Sequence, residues 1–285
     1  MTNSQNVTTI SHALTWASAR LGGSSTSAHL DAEILLTHVL KVSRTYLITS
    51  PATTLTSSQQ NDFLNLIARR AQGEPLAYLI GNREFWSLDI TVTPDTLIPR
   101  PESELLVELV LNKFSDATPR IIADLGTGSG ALALALASER PDWVVHATDR
   151  VAATLAVANE NAARLQLSNI IFHEGFWCDA LPGIKFDAIV SNPPYIAEGD
   201  PELAQDVAQF QPRAALIAGA DGLADLRLII NNAGAFIRQD GYLLLEHGAR
   251  QSAEVANLMA SAGFQEILAY TDLAGLSRVT EGRAK

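Results

Sequence analysis

The spacing of apolar residues divides the chain into a helical first part and an alternating second part. In the first part, apolar positions recur every three or four residues in three segments, which lie around residues 10–21, 30–40 and 63–67. The second segment is predicted to begin after Ser27, and the third to be capped by Ser57 or Ser58. The pattern therefore predicts a small N-terminal helical-bundle domain over residues 1–80.

Residues 81–100 have the period of a strand. Apolar and polar side chains alternate up to Val92, and Pro94-Asp95-Thr96 is typical of a turn. We expect a strand, a turn at residues 94–96 and a short return strand, which form a β-hairpin linking two domains.

From residue 101 onward a helix is followed by short apolar strands that alternate with amphipathic helices. Strands are predicted at residues 121–125, 143–149, 170–174, 186–192 and 242–247, with a final pair within 264–281. Helices are predicted at residues 102–114, 130–138, 151–165, 223–237 and 249–261. Such alternation implies an α/β domain over residues 101–285 with a mostly parallel sheet, whose ligands bind beyond the carboxyl ends of the strands.

Charge is unevenly distributed along the 285 residues. Residues 1–90 hold six Lys/Arg and six Asp/Glu, so the remaining 14 Lys/Arg and 25 Asp/Glu supply the whole formal charge of −11. Nucleic-acid-binding proteins gain much of their affinity by neutralising phosphates with clustered Lys and Arg. The acidic second part therefore argues against direct binding of nucleic acid.

Cysteine content and hydropathy indicate the compartment. Cys178 is the only cysteine, which excludes an internal disulfide and a cysteine-based zinc site, and no metal is predicted. No apolar run reaches the roughly 18 residues of a membrane span, and the first residues lack the pattern of a secretory signal. We therefore expect a cytoplasmic protein without membrane contact, and we take it to be a monomer.

A glycine-rich loop follows the first strand of the alternating part. The sequence from Asp124 to Ala131 reads Asp-Leu-Gly-Thr-Gly-Ser-Gly-Ala, and the next strand ends in Asp149. Glycines allow a sharp turn and close approach of the backbone to a ligand, and Asp149 can accept hydrogen bonds from ribose hydroxyls. The pattern fits both a nicotinamide dinucleotide and S-adenosylmethionine, so the loop alone predicts only an adenosine-containing cofactor.

Two residues favour the methyl donor over the dinucleotide. Asp124 stands where a carboxylate would receive the ammonium group of S-adenosylmethionine, whereas it would repel a pyrophosphate. Trp177, after the third strand, is placed to stack on adenine.

The fourth strand runs into Asn192-Pro193-Pro194-Tyr195. The nitrogen of a planar amide shares its lone pair with the carbonyl group, and the two N–H bonds must be held for that lone pair to leave conjugation. The side-chain oxygen of Asn192 and the backbone carbonyl of Pro193 are two suitable acceptors. The prolines end sheet pairing and stiffen the turn, and Tyr195 supplies an aromatic wall. The tetrapeptide therefore predicts methyl transfer to a planar nitrogen.

These motifs together resemble the class I methyltransferases that act on planar nitrogens, which include DNA adenine methyltransferases. Four further segments resemble the PrmC/HemK family of release-factor glutamine methyltransferases. They are Gly81-Asn-Arg-Glu-Phe-Trp-Ser87, Leu97-Ile-Pro-Arg-Pro-Glu-Ser-Glu104, Phe210-Gln-Pro-Arg213 and Leu244-Leu-Glu-His-Gly248. Ser103 departs from the family's usual threonine but keeps the hydroxyl, and Phe176 replaces a residue that is commonly small or acidic.

The resemblance implies a Rossmann-like methyltransferase that uses S-adenosylmethionine. It implies transfer of the methyl group to the glutamine of the Gly-Gly-Gln motif in class 1 peptide chain release factors, in support of translation termination, with an N-terminal domain that helps hold this protein substrate. By position, the cofactor site comprises Asp124, Gly126, Thr127, Gly128, Ser129, Gly130, Asp149, Trp177 and Asn192. The substrate amide site comprises Asn192 and Pro193, which hold the amide, and Pro194 and Tyr195, which line its slot.

Three alternatives remain open from the sequence. A methyltransferase of nucleic-acid bases shares the tetrapeptide but needs a basic groove. A glutamine methyltransferase of a ribosomal protein shares the chemistry, although Arg100 to Glu104 favours the release-factor branch. A nicotinamide-dependent oxidoreductase fits the glycine loop but gives no role to Asn192 and the residues that follow it.

Overall fold

The computed structural model describes residues 8–23, 25–200 and 209–285. The chain divides into two compact units, Met1–Gly81 and Asn82–Lys285, each of which contains an apolar core. Residues 1–7, on which the expectation about a secretory signal rests, lie outside the described residues. No helix within the described ranges is long and apolar enough to cross a bilayer.

The first unit is a bundle of short helices, as the apolar pattern predicts. Its helices are α1 (Ile10–Leu21), α2 (Ala28–Leu40), α3 (Arg44–Thr49), α4 (Ser57–Arg70) and α5 (Leu76–Ile80). Helices of this length are marginal alone, so burial of their shared core stabilises them. That core includes Ile10, Leu36, Leu47, Phe63 and Leu79. Periodicity did not reveal α3 and α5, because six and five residues make fewer than two turns.

The beginning of α4 differs from the predicted one. Thr56 is the N-cap, and its hydroxyl accepts the backbone N–H of Gln59 at 3.3 Å while the Gln59 side chain accepts the N–H of Thr56 at 2.9 Å. The prediction of Ser57 or Ser58 was wrong by one or two residues. Gln60, which would complete a similar box from Ser57, instead donates to an upstream carbonyl.

The hairpin that opens the second unit has its turn at a different place from the predicted one. Strands β1 (Asn82–Phe85) and β2 (Leu88–Thr91) pair antiparallel. The hairpin turn is Trp86-Ser87, where both residues are left-handed with φ of 52° and 60°. Two-residue hairpins favour this geometry, but Trp and Ser seldom adopt it, so residue preference did not mark the turn. The chain does turn at residues 94–96, where the N–H of Thr96 donates to the Thr93 carbonyl at 2.9 Å, but residues 97–100 form no return strand, so the predicted hairpin was wrong.

The second unit is built on a seven-stranded sheet. Its strands are β3 (Ile121–Leu125), β4 (Val144–Asp149), β5 (Ile170–Glu174), β6 (Phe186–Ser191), β7 (Ile237–Glu246), β8 (Gln265–Thr271) and β9 (Ser277–Arg283). The spatial order is β5-β4-β3-β6-β7-β9-β8. The first five strands in this order are parallel, and β9 is antiparallel to both of its neighbours. The mostly parallel sheet predicted from the alternation is confirmed.

Helices accompany the strands of this sheet along the chain. They are α6 (Glu104–Lys113), α7 (Ala131–Glu139), α8 (Ala152–Arg164), α9 (Ala224–Ala233) and α10 (Ser252–Ser261). A single turn of 3₁₀ helix, Pro101–Ser103, precedes α6. All six residues of β6 are buried, so the central strand lies inside the core as a parallel sheet requires.

The strand β7 begins five residues earlier than predicted, and α9 ends four residues earlier than predicted. Residues 238–240 are polar and exposed, which conceals the strand pattern that begins at Ile237. Arg238 donates to Asp187 on the neighbouring β6 at 2.9 Å, and this ion pair helps to hold the polar stretch against the sheet.

Candidate active site

Four polar side chains lie at the carboxyl ends of neighbouring strands in the sheet. Asp124 is the fourth residue of β3, Asp149 ends β4, Asn192 follows β6 and Glu246 ends β7. These strands are adjacent in the order β4-β3-β6-β7. Because the four strands are parallel, these residues share one edge of the sheet, the edge where α/β proteins bind ligands.

A cavity of about 720 Å³, open at its mouth, lies at this edge. The predicted cofactor residues that line it are Gly126, Gly128, Asp149, Trp177 and Asn192, joined by Pro194 from the predicted substrate site. The predicted cofactor residues absent from its lining are Asp124, Thr127, Ser129 and Gly130. We call this space the donor cavity.

The glycine loop leaves room for a ligand at one position and packs tightly at another. A Cβ on Gly128, whose φ is +59°, would meet no atom within 4 Å, so the backbone there faces open space. A Cβ on Gly126, whose φ is +70°, would lie 2.6 Å from the Trp177 ring. Gly126 is therefore required for the close approach of Trp177, and Gly128 for the open floor of the cavity.

Asp149 ends β4 and lines the donor cavity, and its contact with ribose hydroxyls stays a prediction. Its Oδ2 accepts the N–H of Gly128 at 3.1 Å and its Oδ1 accepts the N–H of Val151 at 3.0 Å. Burial raises the pKa of Asp149, and those two N–H groups act in the opposite direction. Each carboxylate oxygen has a second lone pair for a ligand.

Asp124 lies behind the loop and connects it to the next helix. Its Oδ2 accepts the Thr127 hydroxyl at 2.6 Å and the Ala133 N–H at 3.2 Å, at the start of α7. Burial raises the pKa of Asp124 to about 7 against those hydrogen bonds. Its Oδ1 is buried and has no hydrogen-bond partner among the described residues. An unpaired carboxylate oxygen fits a cationic ligand group, and its contact with the donor's ammonium stays a prediction.

The remaining loop residues support the cavity from outside. The backbone N–H of Thr127 donates to Thr148 at 2.8 Å, and the Ser129 carbonyl accepts the Asn161 side chain at 2.9 Å. Gly130, with φ of +91°, is the N-cap of α7. A direct contact of these side chains with the cofactor also stays a prediction.

Trp177 forms one wall of the donor cavity and is held at both ends of its ring. One edge packs on Gly126, and Nε1 donates to Oδ1 of Asp225 at 3.1 Å. Phe176 lines the same cavity beside it, with ring centroids 5.7 Å apart. Two aromatic rings are therefore available to stack on a planar base. The position of Phe176 in the cavity lining was not predicted from the sequence.

Asn192 lies between the donor cavity and a second, smaller slot. The slot is lined by Leu97, Arg100, Asn192, Pro193, Tyr195, Ile196, Ala215 and Leu216. Asn192 belongs to the linings of both spaces, whereas Pro194 faces the donor cavity and Tyr195 the slot. The structure therefore brings the four residues of the tetrapeptide, Asn192 to Tyr195, together at the boundary between the donor cavity and the slot.

The side-chain oxygen of Asn192 and the backbone carbonyl oxygen of Pro193 have no hydrogen-bond partner among the described residues. The side-chain Nδ2 of Asn192 donates to Oγ of Ser103 at 2.8 Å. Strand β6 ends at Ser191, so the sheet does not use the Pro193 carbonyl.

A wider groove lies on the other side of Tyr195. Its lining includes Arg83, Arg100, Arg250 and Arg278 together with Asp200 and Asp221. Arg100 donates to the Tyr195 hydroxyl at 3.0 Å, and Arg278 forms an ion pair with Asp272. The groove and the slot share Arg100 and Tyr195, so an extended ligand in the groove can reach the slot.

Sequence reasoning gave no role to Glu246, which is fully buried at the end of β7. Its Oε2 accepts the Ser103 hydroxyl at 2.6 Å and its Oε1 accepts the Tyr195 hydroxyl at 3.2 Å. Burial raises the pKa of Glu246, opposed by the Ser103 hydrogen bond and the charge of Arg100. The sequence did contain a signal for this residue, because Glu246 is a carboxylate at the end of an apolar strand.

Two family descriptions match the chain. The PrmC N-terminal domain matches residues 12–81, and the methyltransferase small domain matches residues 102–222.

Curated relatives are similar over almost the whole chain. The release factor glutamine methyltransferase of Coxiella burnetii is 48% identical over 91% of this chain and 93% of its own length. The protein of that name from Salmonella typhimurium is 48% identical over the same shares of both chains. The one from Vibrio cholerae is 46% identical over 97% of each.

Solved structures share the fold at low identity. A methyltransferase from Pyrococcus furiosus superposes with a TM-score of 0.51 at 18% identity, covering 80% of this chain and 98% of that one. The T. thermophilus 16S rRNA methyltransferase RsmC, solved with AdoMet and guanosine, superposes with a TM-score of 0.53 at 19% identity, covering 72% and 50%. These likenesses confirm the predicted methyltransferase fold and carry no further conclusion about the substrate.

Proposed function

The chain belongs to the family of release factor glutamine methyltransferases, and from that premise we propose that it methylates the side-chain amide nitrogen of a release-factor glutamine. It is an enzyme that depends on S-adenosylmethionine. The observation that carries the proposed chemistry is the position of Asn192, which lines both the donor cavity and the slot with its Oδ1 unpaired.

The residues that line the donor cavity fit this cofactor. Asp149 would accept the ribose hydroxyls, Trp177 and Phe176 would flank the adenine, and the open backbone at Gly128 would admit the amino-acid part. The buried unpaired oxygen of Asp124 lies behind that loop. When bound, S-adenosylmethionine supplies a methyl group on a positively charged sulfur.

Asn192 and Pro193 would prepare the substrate nitrogen. A carboxamide nitrogen has two N–H bonds, and Oδ1 of Asn192 and the carbonyl of Pro193 are two acceptors next to each other at the slot. Holding both hydrogens fixes the nitrogen while its lone pair leaves conjugation. As the nitrogen gains positive charge its N–H bonds become stronger donors, so both hydrogen bonds stabilise the transition state more than the ground state.

No general base is needed for the last proton. Among the described residues, none that lines the slot is a carboxylate or a histidine, and burial raises the pKa of Tyr195, so its hydroxyl keeps its proton. A methylated amide nitrogen that still carries an extra proton is strongly acidic and releases that proton to water.

The finer assignment concerns the target. The proposed acceptor is the glutamine of the Gly-Gly-Gln motif in class 1 release factors, whose backbone would lie in the groove beside Tyr195. The N-terminal helical unit would contribute to holding this protein, and the reaction would take place in the cytoplasm, where translation terminates. The names of the relatives do not favour a ribosomal protein or a nucleic-acid base.

Mass mapping tests this function. The protein is incubated with isotope-labelled S-adenosylmethionine and a purified class 1 release factor, and peptides of the release factor are then analysed. We expect one labelled methyl group on the glutamine of Gly-Gly-Gln and none when that glutamine is replaced by glutamate. Labelling of another residue, or equal labelling of the replaced protein, would overturn the assignment.

A further inference from the structure

The proposed methyl transfer requires the Asn192 side chain to present its oxygen, and not its NH₂ group, to the substrate. A carboxamide has an oxygen and an NH₂ group of almost equal size, and only the oxygen can accept a substrate N–H. The NH₂ group faces Ser103, with Nδ2 2.8 Å from Oγ. Oδ1 is therefore the atom left for the ligand.

The polarity of the contact with Ser103 is determined by Glu246. A serine hydroxyl has one hydrogen, and Oγ of Ser103 lies 2.6 Å from Oε2 of Glu246. The charges of Arg100 and Arg278 favour the ionised form of Glu246. In that form the carboxylate only accepts, so Ser103 donates to it and has only lone pairs left for Asn192. Those lone pairs can bind the NH₂ group of Asn192 and cannot bind its oxygen.

A second hydrogen-bond chain reaches Glu246 from the other side. Arg100 can only donate, and its Nη1 donates to the Tyr195 hydroxyl at 3.0 Å. The single hydrogen of Tyr195 is therefore directed to Oε1 of Glu246, 3.2 Å away. Both chains converge on one buried carboxylate, with Arg100 at one outer end and Asn192 at the other.

The residues of these chains come from separate parts of the second unit. Ser103 ends the 3₁₀ turn before α6, Asn192 follows β6 and Glu246 ends β7. Ser103 is 4% exposed and Glu246 is 0% exposed, so water does not compete for these bonds. A buried charge is costly unless hydrogen bonds compensate it, and two hydroxyl donors compensate Glu246.

We propose that Ser103 and Glu246 are positioning residues that hold the Asn192 carboxamide with Oδ1 toward the substrate amide. The inference rests on the proposed function and deepens it. Without the Ser103 hydroxyl, the NH₂ group of Asn192 would face a methyl group with no acceptor. The side chain would relieve this by turning its NH₂ group toward the cavity, where it repels the N–H groups of the substrate.

Substitution at Ser103 tests the proposal in the full-length protein. Ser103→Ala removes the hydroxyl and Ser103→Thr keeps it. Ser191→Ala is the matched control, because Ser191 is also fully buried beside Asn192 but donates to the Leu125 carbonyl at 2.7 Å. For each variant, kcat and KM for release factor, the dissociation constant for S-adenosylmethionine and the melting temperature are measured.

A positioning role predicts a particular combination of results. Ser103→Ala lowers kcat at least fivefold, while KM and the donor dissociation constant change less than threefold. Ser103→Thr restores kcat to within twofold of the wild type, and Ser191→Ala lowers the melting temperature without a fivefold loss of kcat.

Other results overturn the proposal. They are a smaller loss of kcat in Ser103→Ala, a failure of threonine to restore it, or an equal loss in Ser191→Ala. If the wild-type protein itself methylates no glutamine, the proposed function fails and this inference falls with it. If the wild type is active and Ser103→Ala is unaffected, only this inference fails.

Discussion

At the scale of single residues, Asn192 is the side chain on which the proposed methyl transfer would depend most directly. It lines both the donor cavity and the slot, and removing its oxygen leaves one substrate N–H without an acceptor. We expect Asn192→Ala to lower kcat more than tenfold, a barrier increase above about 1.4 kcal/mol. Binding of S-adenosylmethionine, measured by calorimetry, should change less than threefold. Retention of a tenth of the rate or more would contradict the role of the Asn192 oxygen.

Asp124 gives the free protein a pH-dependent stability. Burial raises the pKa of Asp124 from its ordinary value of 3.8 to about 7, so between these pH values only the folded chain keeps the proton. A group that binds its proton more tightly when folded stabilises at low pH, and its contribution falls as the pH rises from about 4 to 7.

The Asp124→Asn variant lacks this titration. Between pH 5 and pH 7, the free energy of unfolding of the wild type should fall relative to that of the variant by on the order of 2 kcal/mol. Urea unfolding of both proteins at several pH values measures the difference. A difference that does not change with pH would show that the carboxyl group titrates normally in the folded protein.

Single residues were predictable where the motif is local. Asp149, Trp177 and Asn192 line the donor cavity because each lies at or just after the end of a strand that could be read from the sequence. Glu246 and Ser103 were not assigned a role, because their hydrogen bond joins residues 143 positions apart. Pairing over that distance depends on the order of the strands, which periodicity does not give.

At the scale of elements, the hairpin and the glycine loop are joined through α8. Asn161 on α8 is fully buried, and its Oδ1 accepts the N–H of Thr91 at 2.8 Å. Its Nδ2 donates to the carbonyls of Thr91 at 3.0 Å and Ser129 at 2.9 Å. One side chain therefore satisfies three backbone groups from two other elements.

Loss of this side chain should destabilise the second unit. Asn161→Ala leaves buried backbone groups without partners, and we expect a loss of about 2–3 kcal/mol in the free energy of unfolding. The control is Asn159→Ala, since Asn159 is exposed on the same helix and donates only to Leu155 within the helix. Urea unfolding compares the two variants, and equal losses would rule out the link.

Elements were predictable where their patterning is regular. The parallel strands β3 to β6 end within one residue of the predicted positions, because each is a short apolar run. The hairpin turn was misplaced because Trp86 and Ser87 are unusual left-handed residues, held there by Glu104 and Glu84 respectively. The first half of β7 was missed because its exposed residues are polar.

At the scale of the whole molecule, the charge of this protein argues against a nucleic-acid substrate. The formal net charge is −11, and the groove beside Tyr195 gathers four arginines. Two of these, Arg100 and Arg278, already bind Tyr195 and Asp272 within the protein. Neither the fold nor the tetrapeptide alone distinguished the substrate, whereas the curated relatives did.

Direct titration with a fluorescent oligonucleotide tests the charge argument. Non-specific binding of nucleic acid usually has a dissociation constant of about 10⁻⁴–10⁻⁶ M at physiological salt and strengthens as salt falls. We expect no saturation below about 100 μM even at low salt, because most of the surface repels phosphate. Saturable binding that weakens steeply with added salt would show that the arginine groove recruits polynucleotide.

The contact between Trp177 and Gly126 has a spectroscopic consequence. Of the four tryptophans, only Trp177 lines the donor cavity, and Trp16, Trp86 and Trp143 do not. Indole fluorescence responds to the polarity around the ring, so entry of S-adenosylmethionine should shift the emission of the unlabelled protein. Trp177→Phe should abolish the shift while the other three tryptophans continue to emit. The protein therefore carries an optical reporter of cofactor occupancy in the wall of its own site.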